Sequence, residues 1–596
     1  MLVDRRRGEF PADLLIKTAI AWIAISAFLL FSRWNTGAIE QFADPDDILR
    51  LMQVRDLLAG QSWFDTTQYR IDAPGGGVPM HWSRLVDLPI AAVILLLTPF
   101  IGSGAAENAA VIIVPLLTLG VVLLLAMRIA WRLMGDEEAT MTALVLAFSM
   151  PVLFQLIPTR IDHHGWQIVC ALAALNGLMA RSPQTGGRVI GAALAIWLSI
   201  SIEGLPLAAL FFVVLALKWL SKRDDRVMIL SAIRTLAVTS LALFLATRGP
   251  FDLATYCDAI SPVHLAIFGG GAIALSALSR LEPVPTAWIL AGMAVTGAVA
   301  AGAMLGVAPQ CVTSGGFDGL DPLVVTFWHE KVLEGRPFWD QNIYNTLQHS
   351  VAPLIGLFAL FGLMRQSGGW LAQFWRDYAI ILLGAYVISL FVLRAGAVAC
   401  ALAAPAVAWQ LRQWLRSMRT TKRPMPRIAA TLSILVALVP TLPLVLLAKA
   451  VPAAADTSVA GAASEVARTS NCKLEEAASF LDAYEPGEIF APLDISPGLL
   501  FTRHSVVATG HHRGKDTMRL VIATSLGSTE NARKVLLARG TDYIAVCPRF
   551  LETALYRQEA PESFIADLED ERAMDWLEPI EVDNGSNLML WRVTGD

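Results

Sequence analysis

The stretch LPIAAVILLLTPFI, residues 88–101, decides the topology of this chain. It is apolar, but it has only fourteen residues and contains Pro89 and Pro99. A helix needs about 20 residues, or about 17 at the short end, to cross a bilayer. We therefore predict that residues 88–101 form a half-buried or re-entrant segment, which enters the lipid and returns to the side from which it came.

Longer apolar runs on both sides of this stretch predict a polytopic α-helical membrane protein. The chain of 596 residues is 55% hydrophobic and 16% charged, with a mean hydropathy of +0.55, whereas soluble domains are about 25% charged. We predict about thirteen spans. They cover residues 14–32, 108–128, 138–157, 165–181, 188–203, 205–220, 227–247, 260–279, 285–307, 350–366, 378–393, 396–413 and 428–450.

Basic residues between the runs orient the predicted spans. With a cytoplasmic N-terminus, the inner turns hold most of the arginines and lysines, with the densest group at residues 412–427. This distribution of basic residues matches the positive-inside rule only if residues 88–101 do not cross the membrane, because a further span would reverse the side of every later turn. An odd number of spans places the C-terminus outside. We expect a bacterial inner (plasma) membrane protein with a periplasmic C-terminal domain.

Composition divides the chain into three parts. Residues 1–452 are the predicted transmembrane domain, with a long first external loop at 33–107. Residues 453–470 are rich in Ala, Ser, Thr and Gly, which is typical of a linker. Residues 471–596 are a predicted soluble α/β domain. Its expected strands are Glu488–Leu493, Ser505–Thr509 and Tyr543–Val546, and its expected helices are Ser528–Arg539 and Phe550–Asp570.

The six cysteines are too few for a disulfide framework in a chain of this length. Cys170 and Cys400 fall in apolar runs, so we expect them to be buried core residues. Cys472 and Cys547 lie in the polar tail, where an oxidising compartment permits a disulfide between them. His511 and His512 offer a metal or anion site, but a solvated loop is the favoured interpretation.

Three acidic patches lie in predicted outer loops: Asp44-Pro45-Asp46-Asp47, Asp162-His163-His164, and Glu334 within KVLEGRP, residues 331–337. Carboxylates and imidazoles are costly near a bilayer, so their convergence on one side indicates a site. Hard cations need oxygen ligands from several elements. Simpler roles stay open: Asp44 and Asp162 as helix caps, and Glu203 as an interfacial acid, which is its favoured role.

Four segments then carry a family resemblance. The segment DPDDILR, residues 44–50, resembles the Asp-Pro-x-x-x-x-Arg segment after the first helix of oligosaccharyltransferase catalytic subunits. GVPMHWSRLVD, residues 77–87, looks like their Gly-rich stretch before Trp-Pro-Pro-Leu-x-Asp. The segment at 162–164 is similar to their second-loop Asp-x-Glu, or Asp-His-His in archaeal members. VLEGRP, residues 332–337, looks like their Ser-Val-Ser-Glu-x-x-Pro segment.

The resemblance covers residues 1 to 450 and implies a type-C (GT-C) membrane glycosyltransferase that uses a polyprenyl-phosphate or pyrophosphate sugar donor. It implies metal ligation by Asp44, Asp162, His164 and Glu334, with Asp44 alternatively acting as base, and donor-phosphate binding by Arg394. The implied cation is Mn²⁺ or Mg²⁺, and the mixed ligand set favours Mn²⁺. The family's Trp-Trp-Asp-Tyr-Gly string is absent from residues 471–596, and Ser83 and Arg84 replace its two prolines.

The expected acceptor is therefore an envelope glycan, lipid or protein. The rival hypothesis is a transporter or flippase of lipid-linked glycan, although its polar residues would gather near the bilayer midplane. A sensory or scaffold protein is a third hypothesis. The chain has no basic stripe with interleaved aromatic residues, so we expect no nucleic-acid partner.

Overall fold

The computed structural model describes residues 11–36, 41–313, 317, 319–450, 472, 474, 480–582 and 586–595. The chain forms two compact units. The helical unit lies within Met1–Gln41, Trp82–Asp318 and Glu334–Leu447. The mixed unit lies within Phe42–His81, Gly319–Leu333 and Ala448–Asp596. The predicted domain boundaries at 452/453 and 470/471 fall in a stretch outside the described residues.

The helical unit is built from long apolar helices. Ten helices are long and apolar enough to cross a membrane among the residues described. The helices of this unit are α1 (Ala12–Asn35), α3 (Arg84–Ile101), α4 (Ser103–Leu133), α5 (Asp136–Ala147), α6 (Met150–Phe154), α7 (His164–Gly177), α8 (Pro183–Ile200), α9 (Leu205–Ser221), α10 (Arg226–Thr247), α11 (Pro262–Arg280), α12 (Thr286–Val307), α13 (Pro309–Thr313), α15 (Ile343–Gln366), α16 (Gly369–Phe391), α17 (Ala395–Thr420), α18 (Pro424–Leu438) and α19 (Leu442–Ala450), the last of which ends in the other unit's range.

Contacts between α1 and α4 define two ends of the helical unit. At the first, the Asp13 end, Trp131 Nε1 donates to the Asp13 carboxylate at 3.0 Å. At the second, the Asp162 end, Arg33 donates to the Thr159 hydroxyl at 3.1 Å. The Thr159 backbone N–H donates there to the carbonyl of Val111 at 2.9 Å. Helices α1 and α4 are therefore antiparallel.

The chain between α1 and α4 begins and ends at the Asp162 end. The Thr159 hydroxyl also donates to the Gln41 carbonyl at 2.7 Å, so residues 41 and 111 lie at the same end. The return predicted for residues 88–101 agrees with this arrangement. The predicted length was wrong: α3 is a continuous helix of 18 residues that includes both prolines. It starts early because Ser83 caps it, accepting from the Leu85 N–H at 3.3 Å.

Polar contacts join further helices of this unit. Arg128 donates to Asn176 on α7 at 2.6 Å, and Lys218 on α9 lies 3.1 Å from Asp377 on α16. Two predicted spans are not single helices: residues 138–157 form α5 and α6, interrupted at Phe148 and Ser149, and residues 428–450 lie in α18 and α19.

The mixed unit is an α/β fold, as predicted. Its five-stranded sheet has the order β4-β3-β5-β7-β6, with β3 parallel to β4 and β5, and β7 antiparallel to β5 and β6. Pro561 interrupts the helix predicted over Phe550–Asp570. The elements are α2 (Pro45–Leu58), β1 (Thr67–Gln68), β2 (Val78–Pro79), α14 (Pro322–Phe327), β3 (Glu488–Phe490), α20 (Ser496–Leu499), β4 (Ser505–Val506), α21 (Lys515–Leu526), α22 (Thr529–Arg539), β5 (Tyr543–Val546), α23 (Leu551–Glu559), α24 (Phe564–Glu569), β6 (Leu577–Ile580) and β7 (Met589–Val593).

Two segments distant in sequence complete the mixed unit. Ile71 forms a parallel bridge with Val506, so residues 70–72 extend the sheet beyond β4. Arg539 bonds to both Asp72 and Glu488, at 2.7 and 2.6 Å. From the second segment, Val324 is buried in the core of this unit. The loops of the predicted transmembrane domain thus supply part of this unit's core and sheet.

The structure pairs four cysteines. Cys472 and Cys547 form the disulfide that the sequence permitted, and Cys170 and Cys400 are buried and free, as predicted. A second disulfide, Cys257–Cys311, was not predicted. It joins the α10–α11 connection to α13, which are 54 residues apart and both at the Asp162 end.

Candidate active site at one end of the helical unit

Asp162 and His163 lie between α6 and α7, and His164 is the first residue of α7. All three side chains are buried. The Asp162 carboxylate contacts both imidazoles: Oδ1 is 2.6 Å from His163 Nδ1, and Oδ2 is 3.4 Å from His164 Nε2. The turn before it contains Thr159 with a φ of 73°, a strained conformation for a β-branched residue. Such strain persists only where surrounding contacts enforce it, and the bonds of Thr159 to residues 41 and 111 do so.

Glu334 reaches this segment from a separate loop. It lies in a short 3₁₀ turn, and its backbone carbonyl accepts from the Arg394 N–H at 2.9 Å. Its carboxylate lies 3.8 Å from His164 Nε2 and 3.7 Å from Arg160 Nη2. Burial alone would raise the pKa of Glu334, but His164, Arg394 and Arg160 together hold this pKa below its usual range. Glu334 is therefore an anion in the folded protein.

Arg394 connects two acids at this end. It lies between α16 and α17, 3.3 Å from Glu334 Oε1 and 2.5 Å from Glu203 Oε1. Glu203 also accepts from Gln167 on α7 at 3.3 Å. Glu203 is thus paired with an arginine, a contact that the sequence did not predict. Its one sequence signal was a carboxylate at the outer end of a predicted span, and the partner that identifies it is 191 positions away (394 − 203).

His163 is a further residue that sequence reasoning did not name as a ligand. Its side chain faces Asp162, and its ring centroid lies 4.3 Å from that of His164. Desolvation by burial lowers the pKa of His163, which favours the neutral imidazole that binds metals. Three adjacent residues thus each offer one ligand atom, and these atoms lie within 4.8 Å of one another.

The donor set fits a divalent cation. Ligand atoms that share an ion at about 2.1 Å lie about 3.0–3.5 Å apart in octahedral or tetrahedral geometry. The distance from His164 Nε2 to Asp162 Oδ2 is within that range, and the distance to Glu334 Oε1 is slightly above it. A mixed carboxylate and imidazole set suits Zn²⁺ or Mn²⁺ better than Mg²⁺, which prefers oxygen ligands.

Asp44 lies in the mixed unit. It is the N-cap of α2, and its side chain accepts from the Asp46 N–H at 3.0 Å, with Pro45 at the first helical position. The helix-cap interpretation is therefore correct for this residue. Within the same unit, burial and the charge of Asp44 together raise the pKa of Asp494 to about 6. Asp44 thus has a carboxyl neighbour in its own unit.

Solved structures show which fold this arrangement belongs to. No protein-family model and no curated protein sequence matches the chain. The archaeal oligosaccharyltransferase AglB from Archaeoglobus fulgidus, in complex with an inhibitory peptide and a dolichol-phosphate, superposes with a TM-score of 0.60 at 14% identity. The match covers 90% of this chain and 69% of that one.

Two further structures match. AglB in complex with Zn and sulfate gives a TM-score of 0.55 at 13% identity, over 89% of this chain and 67% of that one. The match to ArnT from Cupriavidus metallidurans bound to undecaprenyl phosphate covers 97% of this chain and 99% of that one, at 12% identity and with a TM-score of 0.37. The protein is therefore a multi-pass membrane protein with the GT-C fold seen in the oligosaccharyltransferase AglB.

Proposed function

We propose that the protein is a membrane glycosyltransferase that moves a sugar or glycan from a polyprenyl-phosphate or pyrophosphate donor to an acceptor in the cell envelope. This proposal rests on one observation. The side chains of Asp162, His164, Glu334 and Arg394 contact one another at one end of a helical bundle with the AglB fold. The AglB structures hold dolichol-phosphate in one case and Zn in another. Both ligand classes suit the groups assembled here.

Each residue has a proposed role. Asp162 and His164 would hold a divalent cation, with His163 or Glu334 completing the set. Such a cation, when bound, offsets negative charge on the leaving phosphate. Arg394 pairs with the donor phosphate through a charge-assisted hydrogen bond, and Glu203 and Glu334 hold its guanidinium in place. Asp44 has the proposed role of a base that accepts the acceptor's proton.

We place the Asp162 end outside the cytoplasm, in the periplasm of a bacterial inner membrane. The Cys257–Cys311 disulfide lies at this end, and disulfides persist in oxidising compartments. The turns at the Asp13 end carry the excess of arginine and lysine, as cytoplasmic turns do. The mixed unit, which holds the second disulfide, is then periplasmic as well.

The test is mass spectrometry of envelope glycans and glycoproteins from a deletion strain, followed by complementation. A sugar that is lost on deletion and restored by the wild-type gene identifies the product. A transporter of lipid-linked glycan would instead deplete every glycan built from that lipid. If purified protein in vesicles moves the lipid across the bilayer without forming a new glycosidic bond, the transferase proposal is wrong.

Asp44 needs a pair of variants, because its cap and its proposed chemistry act together. Asp44→Asn keeps an oxygen that accepts from the Asp46 N–H, whereas Asp44→Ala removes it. Loss of the cap costs about 1 kcal/mol of stability. The proposal expects both variants to lose transfer and only Asp44→Ala to lower the unfolding midpoint. Full transfer by Asp44→Asn would reduce the residue to a cap.

A further inference from the structure

Three histidines of the mixed unit lie together, and none of them belongs to the groups discussed above. His81 follows β2, and His511 and His512 lie in the loop between β4 and α21. His81 Nδ1 is 3.0 Å from His511 Nε2. The ring centroids are 5.2 Å apart for His81 and His511, 5.0 Å for His81 and His512, and 4.7 Å for His511 and His512. One ring nitrogen of each residue lies within 4.8 Å of the others.

This group is not the solvated loop that the sequence favoured. His511 is buried, with 3% of its surface exposed. The preceding Gly510 allows the loop to pass close to Trp328, since a Cβ at position 510 would lie 2.8 Å from the indole nitrogen. The loop is also tied to β2, because Arg513 donates to the Pro79 carbonyl at 3.4 Å. The three imidazoles are therefore positioned by packing on both chain segments.

From this geometry we infer that His81, His511 and His512 form a second metal site, which takes a Zn²⁺-class cation and joins residues 42–81 to the C-terminal part of the mixed unit. Zinc binds imidazole nitrogen at about 2.0–2.1 Å, so nitrogens that share one tetrahedral ion lie about 3.3 Å apart. The His81–His511 separation is close to this value. Three nitrogen ligands leave one position for water.

A hydrogen bond without metal explains the geometry less completely. A proton between His81 Nδ1 and His511 Nε2 accounts for one pair of rings. It does not explain why His512 packs within about the same distance of both. The Arg513 N–H donates to His511 Nδ1 at 3.4 Å, which is a weak hydrogen bond. Metal binding through Nε2 would put the imidazole proton on Nδ1, so this bond would be lost.

The site would act as a clip between distant parts of the chain. His81 and His511 are 430 positions apart, and His81 is the last residue of its segment in the mixed unit. A metal held by both would fix the end of that segment against the loop before α21. This role is structural, so it does not depend on the transferase proposal.

The test is metal binding by full-length protein that also carries Asp162→Asn and His164→Asn, which removes the candidate site in the helical unit. We expect this background protein to bind one equivalent of Co²⁺ with the intense visible bands of a four- or five-coordinate nitrogen site. His81→Asn should abolish these bands. The matched control is His329→Asn, which changes a histidine of the same unit outside the group and should leave them unchanged.

A stability readout separates binding from folding. Saturating Zn²⁺ should raise the unfolding midpoint of the background protein and of His329→Asn, because the metal binds only the folded state. It should not shift His81→Asn, whose metal-free midpoint should match that of the metal-free background. Failure of the background protein to bind Co²⁺ or Zn²⁺ at neutral pH would overturn the inference. Retention of the bands by His81→Asn would overturn it equally.

Discussion

The two ends of the helical unit both carry charged side chains, but they use them differently. At the Asp13 end, acids pair with arginine or lysine: Asp377 lies 3.1 Å from Lys218 and 3.0 Å from Arg376. At the Asp162 end, two imidazoles lie among the carboxylates, and Arg394 and Arg160 share the acids. Charge pairs alone suffice to join helices. Imidazoles beside carboxylates supply nitrogen and oxygen ligand atoms for a cation.

The two ends also differ in where their residues originate. The pairs of the Asp13 end join one helix to a neighbour, as Lys218 joins α9 to α16 and Arg412 joins α17 to Glu138 on α5. The groups at the Asp162 end come from four connections between helices. These connections lie around residues 162, 203, 334 and 394. Connections can carry chemistry on a rigid helical frame, which is the common arrangement of binding sites.

The largest expected difference between the ends is in catalysis. Asp162→Asn removes a carboxylate oxygen from the proposed cation site and should lower transfer at least about 1,000-fold, equivalent to about 4 kcal/mol of transition-state stabilisation. The measurement is initial rate in vesicles at saturating donor. The matched control is Asp252→Asn, because Asp252 lies at the same end but pairs with Arg248 at 2.9 Å. Equal rates for the two variants would remove Asp162 from the site.

A smaller effect is expected at Arg394. Arg394→Gln keeps hydrogen-bonding capacity but loses the charge that pairs with the donor phosphate, so KM for the donor should rise about 10- to 100-fold. The kcat should change less, because the proposed cation ligands are unaltered. Arg248→Gln is the control, since Arg248 is a paired arginine of the same end. A fall in kcat with unchanged KM would contradict phosphate binding by Arg394.

At the Asp13 end the expected effect is on stability and not on transfer. Asp377→Leu leaves Lys218 without its nearest carboxylate and should cost about 1–3 kcal/mol, because an unpaired charge in a half-buried position is costly. The double variant Asp377→Leu, Lys218→Met should recover part of this loss. Transfer per folded molecule should stay at the wild-type level in both. Loss of transfer in the folded double variant would show that the two ends are coupled.

Much of the fold was readable from the sequence, because a membrane imposes length and composition on each helix. The same-side return of residues 88–101 agrees with the α1–α4 contacts, although α3 is longer than predicted. The error lies at the start of the segment, because the cap at Ser83 begins α3 four residues before the apolar run. The sequence also failed to predict an interruption within a span: residues 138–157 were expected to be one helix, but Phe148 and Ser149 separate α5 from α6.

The candidate site was only partly readable. Asp162 and His164 were named because adjacent polar residues at the mouth of a span are conspicuous. His163 was passed over because the i and i+2 pattern selected its neighbours, whereas its ring turns towards Asp162 at 2.6 Å. The role of Glu203 depends on Arg394, and the three-histidine group depends on residues 81 and 511. No local pattern specifies such distant pairs.

The smallest expected effect is a difference in the number of cysteines that react with a thiol reagent. It tests whether the Asp162 end of the helical unit faces an oxidising compartment. Disulfides persist outside the cytoplasm, so both Cys257–Cys311 and Cys472–Cys547 should be oxidised in protein from the cell. Denatured without reductant, the protein should then react with maleimide at only Cys170 and Cys400. After reduction all six cysteines should react.

Mass spectrometry counts the labels, and blocking free thiols before lysis prevents later oxidation. Reaction at Cys257 and Cys311 without reductant would indicate that the Asp162 end faces a reducing compartment, and a periplasmic donor could not then reach the site.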